Sequence, residues 1–185
     1  DRFASEEGLV MIPPFDHPDV IAGQGTCGLE ILDQVPGVRT VLVPVGGGGL
    51  LSGITTAIKA LRPEVEIIGV EPAGAPKLTA ALANGAPTVL AHTARVADGL
   101  LTRAVGALPW SLIQPHVLRA ITVTEEEIGH AVRFLFERQG LRVEPSGAVS
   151  FAAVLAGKVT SPGPVVAVLS GGNVDQAVFD LLVAG

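Results

Sequence analysis

Short apolar runs recur along the chain and are separated by stretches whose apolar positions follow helical spacing. The runs lie at residues 9–12, 40–45, 65–70, 119–123 and 164–169. They contain few alternating polar residues, which is typical of strands buried on both faces of a parallel sheet. Such strands, alternating with helices, predict an α/β fold in which a parallel or mostly parallel sheet carries helices on both faces.

Glycine, proline and capping residues mark the ends of the predicted helices. These helices are expected at residues 29–32, 50–61, 76–84, 125–139, 148–156 and 174–183. Thr124 and Glu127 have the spacing of a capping box, in which each side chain accepts a hydrogen bond from a free backbone N–H at the start of the helix. Residues 86–109 are polar and contain glycine, so we expect an irregular segment there.

The segment between Val20 and Gln34 is harder to assign. Pro18 is a suitable first residue for a helix, because its missing N–H is not needed there. Three glycines follow within eleven residues, however, and glycine weakens a helix interior. We therefore expect the first half of this segment to be a loop.

Four consecutive glycines, Gly46 to Gly49, end the apolar run at residues 40–45. Without Cβ atoms, the backbone here can turn sharply and direct several N–H groups at one point, where the following helix adds the positive end of its dipole. The sequence therefore predicts a strand, a phosphate cradle and a helix. No Gly-Lys-Ser/Thr follows, as a Walker loop requires, and the spaced glycines of dinucleotide folds are absent. A tight turn that binds no ligand is the alternative.

Composition excludes several classes of function. The 185 residues suit one domain or one lobe of a larger protein, and the net charge of -6 with 4% aromatic residues argues against a nucleic-acid surface. Mean hydropathy is high, at +0.52. The uncharged stretch at residues 40–58 is nevertheless a poor membrane helix, because it contains several glycines and Pro44. Cys27 is the single cysteine, and no signal peptide is visible, so we expect a cytoplasmic protein.

In a parallel α/β sheet, ligands bind beyond the carboxyl ends of the strands. By the predicted ends of the strands, four features lie there: the glycine turns at residues 46–49 and 171–172, together with Glu71 and Glu144. We therefore expect a pocket at this rim.

Six segments together resemble the threonine/serine dehydratases and serine racemases, which are fold-type II enzymes that use pyridoxal 5'-phosphate. The segments lie in the same order as in that family and span nearly the whole chain. They are residues 18–26 (PDVIAGQGT), 46–50 (GGGGL), 69–72 (GVEP), 97–100 (ADGL), 144–147 (EPSG) and 170–173 (SGGN).

The resemblance implies a role for each matching residue. Gly46, Gly47, Gly48 and Gly49, with Leu50, would form the cradle of the cofactor phosphate. Ser170 would be the partner of the pyridine nitrogen, and Glu144 would lie near the edge of the cofactor. A neutral serine does not enforce protonation of the ring, which suits elimination of a β-hydroxyl better than transamination. An ordinary helix N-cap is the alternative role for Ser170.

Two motifs of that family are absent from this sequence. The Schiff-base lysine in its Ser-x-Lys motif and the Ser-Gly-Asn-His substrate loop both belong to the N-terminal half of such enzymes. The lysines here are Lys59, Lys77 and Lys158, which we expect to be solvated surface residues. Residues 1–185 therefore resemble a single lobe, the C-terminal part of the large cofactor domain, without the N-terminal half and its small domain. No catalytic residue is assigned to this chain.

Serine racemase-like members of the family bind a divalent cation with the glutamate of Val-Glu-Pro and a carboxylate six residues later. Here the glutamate is Glu71, but the later position is Lys77. We expect no metal and hypothesise that the Lys77 ammonium replaces the cation by pairing with Glu71. The four histidines lack zinc-site spacing and are expected to be structural.

The sequence thus predicts the cofactor-binding half of a threonine or serine ammonia-lyase that is active only with its N-terminal half. In the whole enzyme a lysine would remove the α-proton, the β-hydroxyl would leave, and hydrolysis would give a 2-oxo acid and ammonia. Serine racemase-type activity is one alternative, and a non-catalytic phosphate-binding or assembly module is another. An oligomer is expected, because the apolar surface of an isolated lobe needs cover. The chain ends at Gly185, and no appended regulatory domain is expected.

Overall fold

The computed structural model describes residues 2–93, 97–117 and 119–184. The helices are α1 (Arg2–Glu7), α2 (Pro18–Gln34), α3 (Gly49–Leu61), α4 (Lys77–Asn84), α5 (Ala107–Ile113), α6 (Glu125–Gln139), α7 (Pro145–Leu155) and α8 (Gln176–Ala184). The strands are β1 (Thr40–Pro44), β2 (Glu66–Pro72), β3 (Ala120–Val123) and β4 (Val165–Ala167). A 3-10 turn covers Asp98–Leu100.

The four strands form one parallel sheet in the order β3-β2-β1-β4. Thr40 on β1 is paired with Glu66 on β2 and with Val165 on β4, so β1 lies in the interior of the sheet. All five residues of β1 are buried. The predicted α/β fold with a parallel sheet is confirmed.

Side chains alternate between two hydrophobic cores, one on each face of the sheet. On β1, Val41 and Val43 point into the core shared with α2, α3, α4 and α5. Leu42, between them, points into the core shared with α6, α7 and α8. Both faces are therefore covered by helices, which explains why the strand sequences are continuously apolar.

The predicted strand at residues 9–12 is wrong. These residues follow α1 without regular secondary structure, and Leu9, Val10, Met11 and Ile12 are between 56% and 87% exposed. An apolar run becomes a strand only where a neighbouring strand accepts its hydrogen bonds, and none of the described strands lies beside this segment.

The predicted loop at the start of residues 20–34 is also wrong, because α2 continues unbroken through Gly23, Gly25 and Gly28. A Cβ atom on Gly28 would lie 3.0 Å from the carbonyl oxygen of Ile54, and one on Gly25 would lie 3.3 Å from that of Gly53. These glycines let α2 and α3 approach closely, and tertiary packing outweighs the low helix propensity of glycine.

The other helices differ from the prediction mainly at their ends. The capping box of Thr124 and Glu127 is present at the start of α6. Helix α7 begins at Pro145 rather than at residue 148, and α8 begins at Gln176 rather than at residue 174. Helix α5 was not predicted, because its sequence begins Ala-Leu-Pro inside a segment that resembles a loop.

Candidate anion-binding site

The glycine run forms the link between β1 and α3 at the carboxyl end of the sheet. Gly48 is the N-cap of α3 and has a φ of 94°, which glycine adopts without steric cost. None of the described residues accepts a hydrogen bond from the backbone N–H groups of Gly46, Gly47, Gly48 or Gly49. Free N–H groups beside the positive end of a helix dipole form a binding site for an anion. The sequence prediction of strand, glycine turn and helix is confirmed.

Three neighbouring segments hold this turn in place. The ring of Phe15 lies against Gly47, and Pro109 of α5 lies 3.0 Å from the position that a Cβ atom on Gly48 would take. A Cβ atom on Gly46 would lie 3.3 Å from the carbonyl oxygen of Gly99. The glycines are therefore needed both for the turn and for close packing around it.

A cavity of about 270 Å³ opens above the turn. It is lined by Gly46–Gly49, Leu50 and Ser170, which the sequence singled out, and also by Pro14, Phe15, Pro44, Gly99, Leu100 and Thr102. Ser170 follows β4, and its side chain is exposed. The structure thus brings the predicted glycine cradle and the predicted serine to one cavity.

Glu144 lines the adjacent cavity, of about 560 Å³, together with Asp98 and Asn173. Its carboxylate lies against Gly171, the residue after Ser170, and its backbone N–H donates to the carbonyl oxygen of Gly171. Burial raises the pKa of Glu144, and the negative charge of Asp98 raises it further. Glu144 therefore packs against the turn that carries Ser170.

Glu71 lies near the end of β2 and is fully buried, but it does not line either of these cavities. Its carboxylate accepts hydrogen bonds from the backbone N–H groups of Leu78 and Thr79, at 2.8 Å each, and from the Thr79 hydroxyl at 2.7 Å. Glu71 thus holds the start of α4 against the sheet.

The expectation that Lys77 is a surface lysine is wrong, because its side chain is fully buried. Its Nζ donates to the carbonyl oxygens of Ala75, at 3.1 Å, and Leu100, at 2.9 Å, rather than to Glu71. Burial lowers the pKa of Lys77 to about 8, while the charge of Glu71 acts in the opposite direction. The hypothesised direct pair is replaced by an electrostatic interaction at longer range.

Sequence reasoning missed the residues that support the cradle from α5 and from the loop before α2. The Asp16 carboxylate accepts from the backbone N–H groups of Ala107 and Leu108 at 3.1 Å each, which caps α5. The N–H of Gly106 in turn donates to the carbonyl oxygen of Gly47. Asp16 lies 91 residues before Ala107 in the sequence, so no local sequence pattern connects it with α5.

Within the described residues, no group of three or more histidine, cysteine, aspartate or glutamate side chains could hold a metal ion. The same part of the chain contains no helix with the length and apolar character needed to cross a membrane.

Lys59 is half-buried and donates to two backbone carbonyls, whereas Lys158 is exposed and pairs with Glu127. None of the three lysines lines the cavity above the glycine turn.

A parallel sheet with a glycine-lined anion cradle at its carboxyl edge suits an enzyme that binds a phosphorylated cofactor. Residues 1–171 match the family model described as pyridoxal-phosphate dependent enzyme. The chain belongs to this family, whose cofactor is pyridoxal 5'-phosphate. The free N–H groups of the cradle fit the phosphate of that cofactor.

Individual relatives show which members of the family this chain resembles. The L-threonine ammonia-lyase of Thermotoga maritima is 43% identical over 183 residues, which cover 98% of this chain and 45% of the relative. The crystal structure of a threonine deaminase from T.th. superposes with a TM-score of 0.89 at 42% identity, over 94% of this chain and 65% of that one. Maize serine racemase gives the same TM-score at 38% identity, over 95% of this chain and 55% of that one. The chain spans about half the length of the curated relatives it matches.

Proposed function

We propose that this chain is the cofactor-holding part of a pyridoxal phosphate-dependent ammonia-lyase acting on threonine or serine. The observation that carries the proposal is the glycine turn, with its free N–H groups, which shares one cavity with Ser170. The similarity to L-threonine ammonia-lyases over nearly the whole chain supports the same assignment.

The residues of this chain bind and orient the cofactor. The N–H groups of Gly46 to Gly49 would hold the phosphate, and the first turn of α3 would stabilise its negative charge. The hydroxyl of Ser170, which lines the same cavity, would be the partner of the ring nitrogen and, being neutral, would not enforce its protonation. When bound, pyridoxal phosphate supplies an electron sink that stabilises negative charge at the α-carbon of the amino acid. Glu144 lies at the edge of this site, where its raised pKa keeps more of the carboxyl protonated than in water.

The catalytic lysine comes from a second segment, the N-terminal half with the small domain. That lysine would remove the α-proton and the β-hydroxyl would leave, so that the elements of water would be lost from the substrate. Hydrolysis of the released enamine then gives a 2-oxo acid and ammonia. The partner half is supported by the coverage of the relatives, of which the chain spans 45% for the Thermotoga maritima protein. Residues 1–185 then form the C-terminal part of the large domain.

Reconstitution tests this proposal. The chain is co-expressed with the N-terminal half of the Thermotoga maritima relative, and the purified complex is given pyridoxal phosphate and L-threonine. We expect 2-oxobutanoate and ammonia in equal amounts, and after borohydride reduction a cofactor adduct on the partner half alone. A matched complex with Gly47→Trp, which blocks the cradle, should form neither product nor adduct. A complex that assembles and binds cofactor but releases no ammonia would contradict the lyase assignment.

Racemase-type activity is the second candidate, because maize serine racemase matches as well in structure as the threonine deaminase does. The same complex incubated with L-serine distinguishes them, since a racemase forms D-serine and a dehydratase forms pyruvate and ammonia. A non-catalytic phosphate-binding module would bind the cofactor and yield neither product.

We also propose that the protein works in the cytoplasm as an oligomer and accepts serine as well as threonine. Val10, Ile12 and Leu181 are more than 75% exposed and would be covered by the partner half or by another copy.

The buried Lys77 ammonium supports the hypothesis that no divalent cation is needed. Adding magnesium should then leave the melting temperature unchanged, and a rise on magnesium addition would overturn this hypothesis.

A further inference from the structure

Lys77 is a charged residue that lies outside the cradle and is buried from solvent. It is the first residue of α4, and its side chain is fully buried. Burial of an ammonium is unfavourable unless its N–H groups find acceptors. Here the acceptors are two backbone carbonyls, those of Ala75 and Leu100, at 3.1 and 2.9 Å.

These two carbonyls belong to different parts of the chain. Ala75 lies in the turn between β2 and α4, whereas Leu100 closes the 3-10 turn Asp98–Leu100. The two bonds therefore connect segments that are more than twenty residues apart in sequence. Hydrogen bonds from an ionised donor are stronger than bonds between neutral groups.

The 3-10 turn is one wall of the cradle. Gly99 and Leu100 line the same cavity as the glycine turn, and a Cβ atom on Gly46 would lie 3.4 Å from Cδ2 of Leu100. The N–H of Gly99 donates to the Ser146 hydroxyl at 2.9 Å, which attaches the turn to α7. Lys77 supplies a second attachment, from α4.

Glu71 supplies the negative charge that faces Lys77 from β2, although its oxygens are occupied by Leu78 and Thr79. Two charged side chains thus lie behind the wall, and neither lines the cavity. A hydrophobic residue would fill the same space without a buried charge. Packing therefore does not explain the ammonium, whereas its hydrogen bonds to the carbonyls of Ala75 and Leu100 do.

We propose that Lys77 is a positioning residue of the cofactor site: its ammonium fixes the Asp98–Leu100 turn against Gly46 and thereby sets the shape of the phosphate cradle. Lys77 acts through the carbonyl of Leu100 and does not touch the ligand. The inference rests on the proposed function only for the identity of that ligand.

The test compares Lys77→Met with Lys59→Met. Lys59 is a matched control, because its Nζ also donates to two backbone carbonyls, those of Pro63 and Val65, and it does not line the cavity above the glycine turn. Both substitutions remove a charge and two hydrogen bonds and keep an unbranched side chain. Lys77→Gln, which retains a neutral donor, serves as a milder second variant that keeps the test valid if Lys77→Met does not fold.

The first readout needs no ligand. Hydrogen exchange at the Gly99 and Leu100 amides reports how firmly the turn is held. Loss of one bond to a charged donor should speed exchange there by about tenfold or more in Lys77→Met. Lys77→Gln should lie between the wild type and Lys77→Met, and Lys59→Met should exchange there as the wild type does. Unchanged exchange in Lys77→Met and Lys77→Gln would overturn the inference.

The second readout is ligand affinity. The probe is pyridoxine 5'-phosphate, which carries the phosphate but has no aldehyde to react with surface lysines. Trp110, the single tryptophan, follows Pro109, the residue of α5 that packs against Gly48, so that a change in its fluorescence is used to report binding. We expect the Kd to rise about tenfold in Lys77→Met and to stay within about twofold in Lys59→Met.

The two readouts separate the two proposals. If the wild-type chain does not bind the probe, the proposed function is contradicted, while the exchange measurement still decides the role of Lys77. If the wild type binds and Lys77→Met binds equally well, even with a lower melting temperature, Lys77 is a structural residue only and the inference is wrong.

Discussion

The ring of Phe15 lies against the backbone of Gly47, so that a side chain at residue 47 would need the space the ring occupies. This contact joins the loop before α2 to the glycine turn after β1. The ring and the turn also line the same cavity. The shape of the cradle is therefore determined jointly by a glycine and by an aromatic residue from a separate segment of the chain.

Gly47→Ala should reduce both stability and ligand binding. The added methyl group cannot fit unless Phe15 moves, and overpacking of this kind costs about 1–3 kcal/mol of the free energy of unfolding. Urea denaturation followed by Trp110 fluorescence measures the loss. Combining Gly47→Ala with Phe15→Ala should recover part of it, since the smaller side chain makes room. Equal stability of Gly47→Ala and the wild type would show that the ring does not restrict this residue.

Substitution by alanine should lower the stability of the chain at one glycine of α2 and raise it at another. Gly28→Ala places a Cβ atom 3.2 Å from that of Ala57 and 3.0 Å from the Ile54 carbonyl oxygen, so we expect a loss of about 1–3 kcal/mol. A Cβ atom on Gly23 meets no atom within 4 Å. Gly23→Ala should therefore stabilise the chain by about 0.4–1 kcal/mol. Melting temperatures of both variants decide this, and a shift in the same direction for both would contradict the described helix packing.

Lys77 should give the stability of the chain a distinct dependence on pH. Its pKa is about 8 in the folded chain and 10.5 when exposed, so between these values the unfolded chain holds a proton that the folded chain lacks. The free energy of unfolding should then rise with pH, by about 2–3 kcal/mol from pH 8 to pH 10.5. Lys77→Met should not show this rise. Subtracting its free energy of unfolding, measured by urea denaturation at each pH, from that of the wild type removes the contributions of the other titrating groups. Parallel profiles of the two proteins would contradict the lowered pKa.

Much of the fold follows from the sequence because the strands are buried on both faces. Continuous apolar runs such as Val41–Val43 allow few structures other than an interior parallel strand, and the glycine turn that follows ends the strand unambiguously. The capping box at Thr124 is likewise a local signal, which is why the start of α6 could be predicted.

The errors arise where distant residues decide the structure. Gly25 and Gly28 resemble loop glycines until α3 is packed against them, and residues 9–12 form no strand because no described strand lies beside them. Lys77 belongs to the same group, since neither the Leu100 carbonyl nor the burial of α4 can be inferred from the residues around it. For the site, motif matches identified the glycines and Ser170 but not Phe15 or Thr102, which line the cavity from other segments.

The most direct test of the central claim is a calorimetric titration of this chain with pyridoxine 5'-phosphate and, separately, with pyridoxine. The two probes differ only in the phosphate that the N–H groups of Gly46 to Gly49 are proposed to hold. Two hydrogen bonds to a charged oxygen correspond to about a hundredfold in Kd, so the phosphorylated probe should bind at least that much more tightly. Equal affinity for both probes, or no binding of either, would contradict the assignment of the glycine turn as a phosphate cradle.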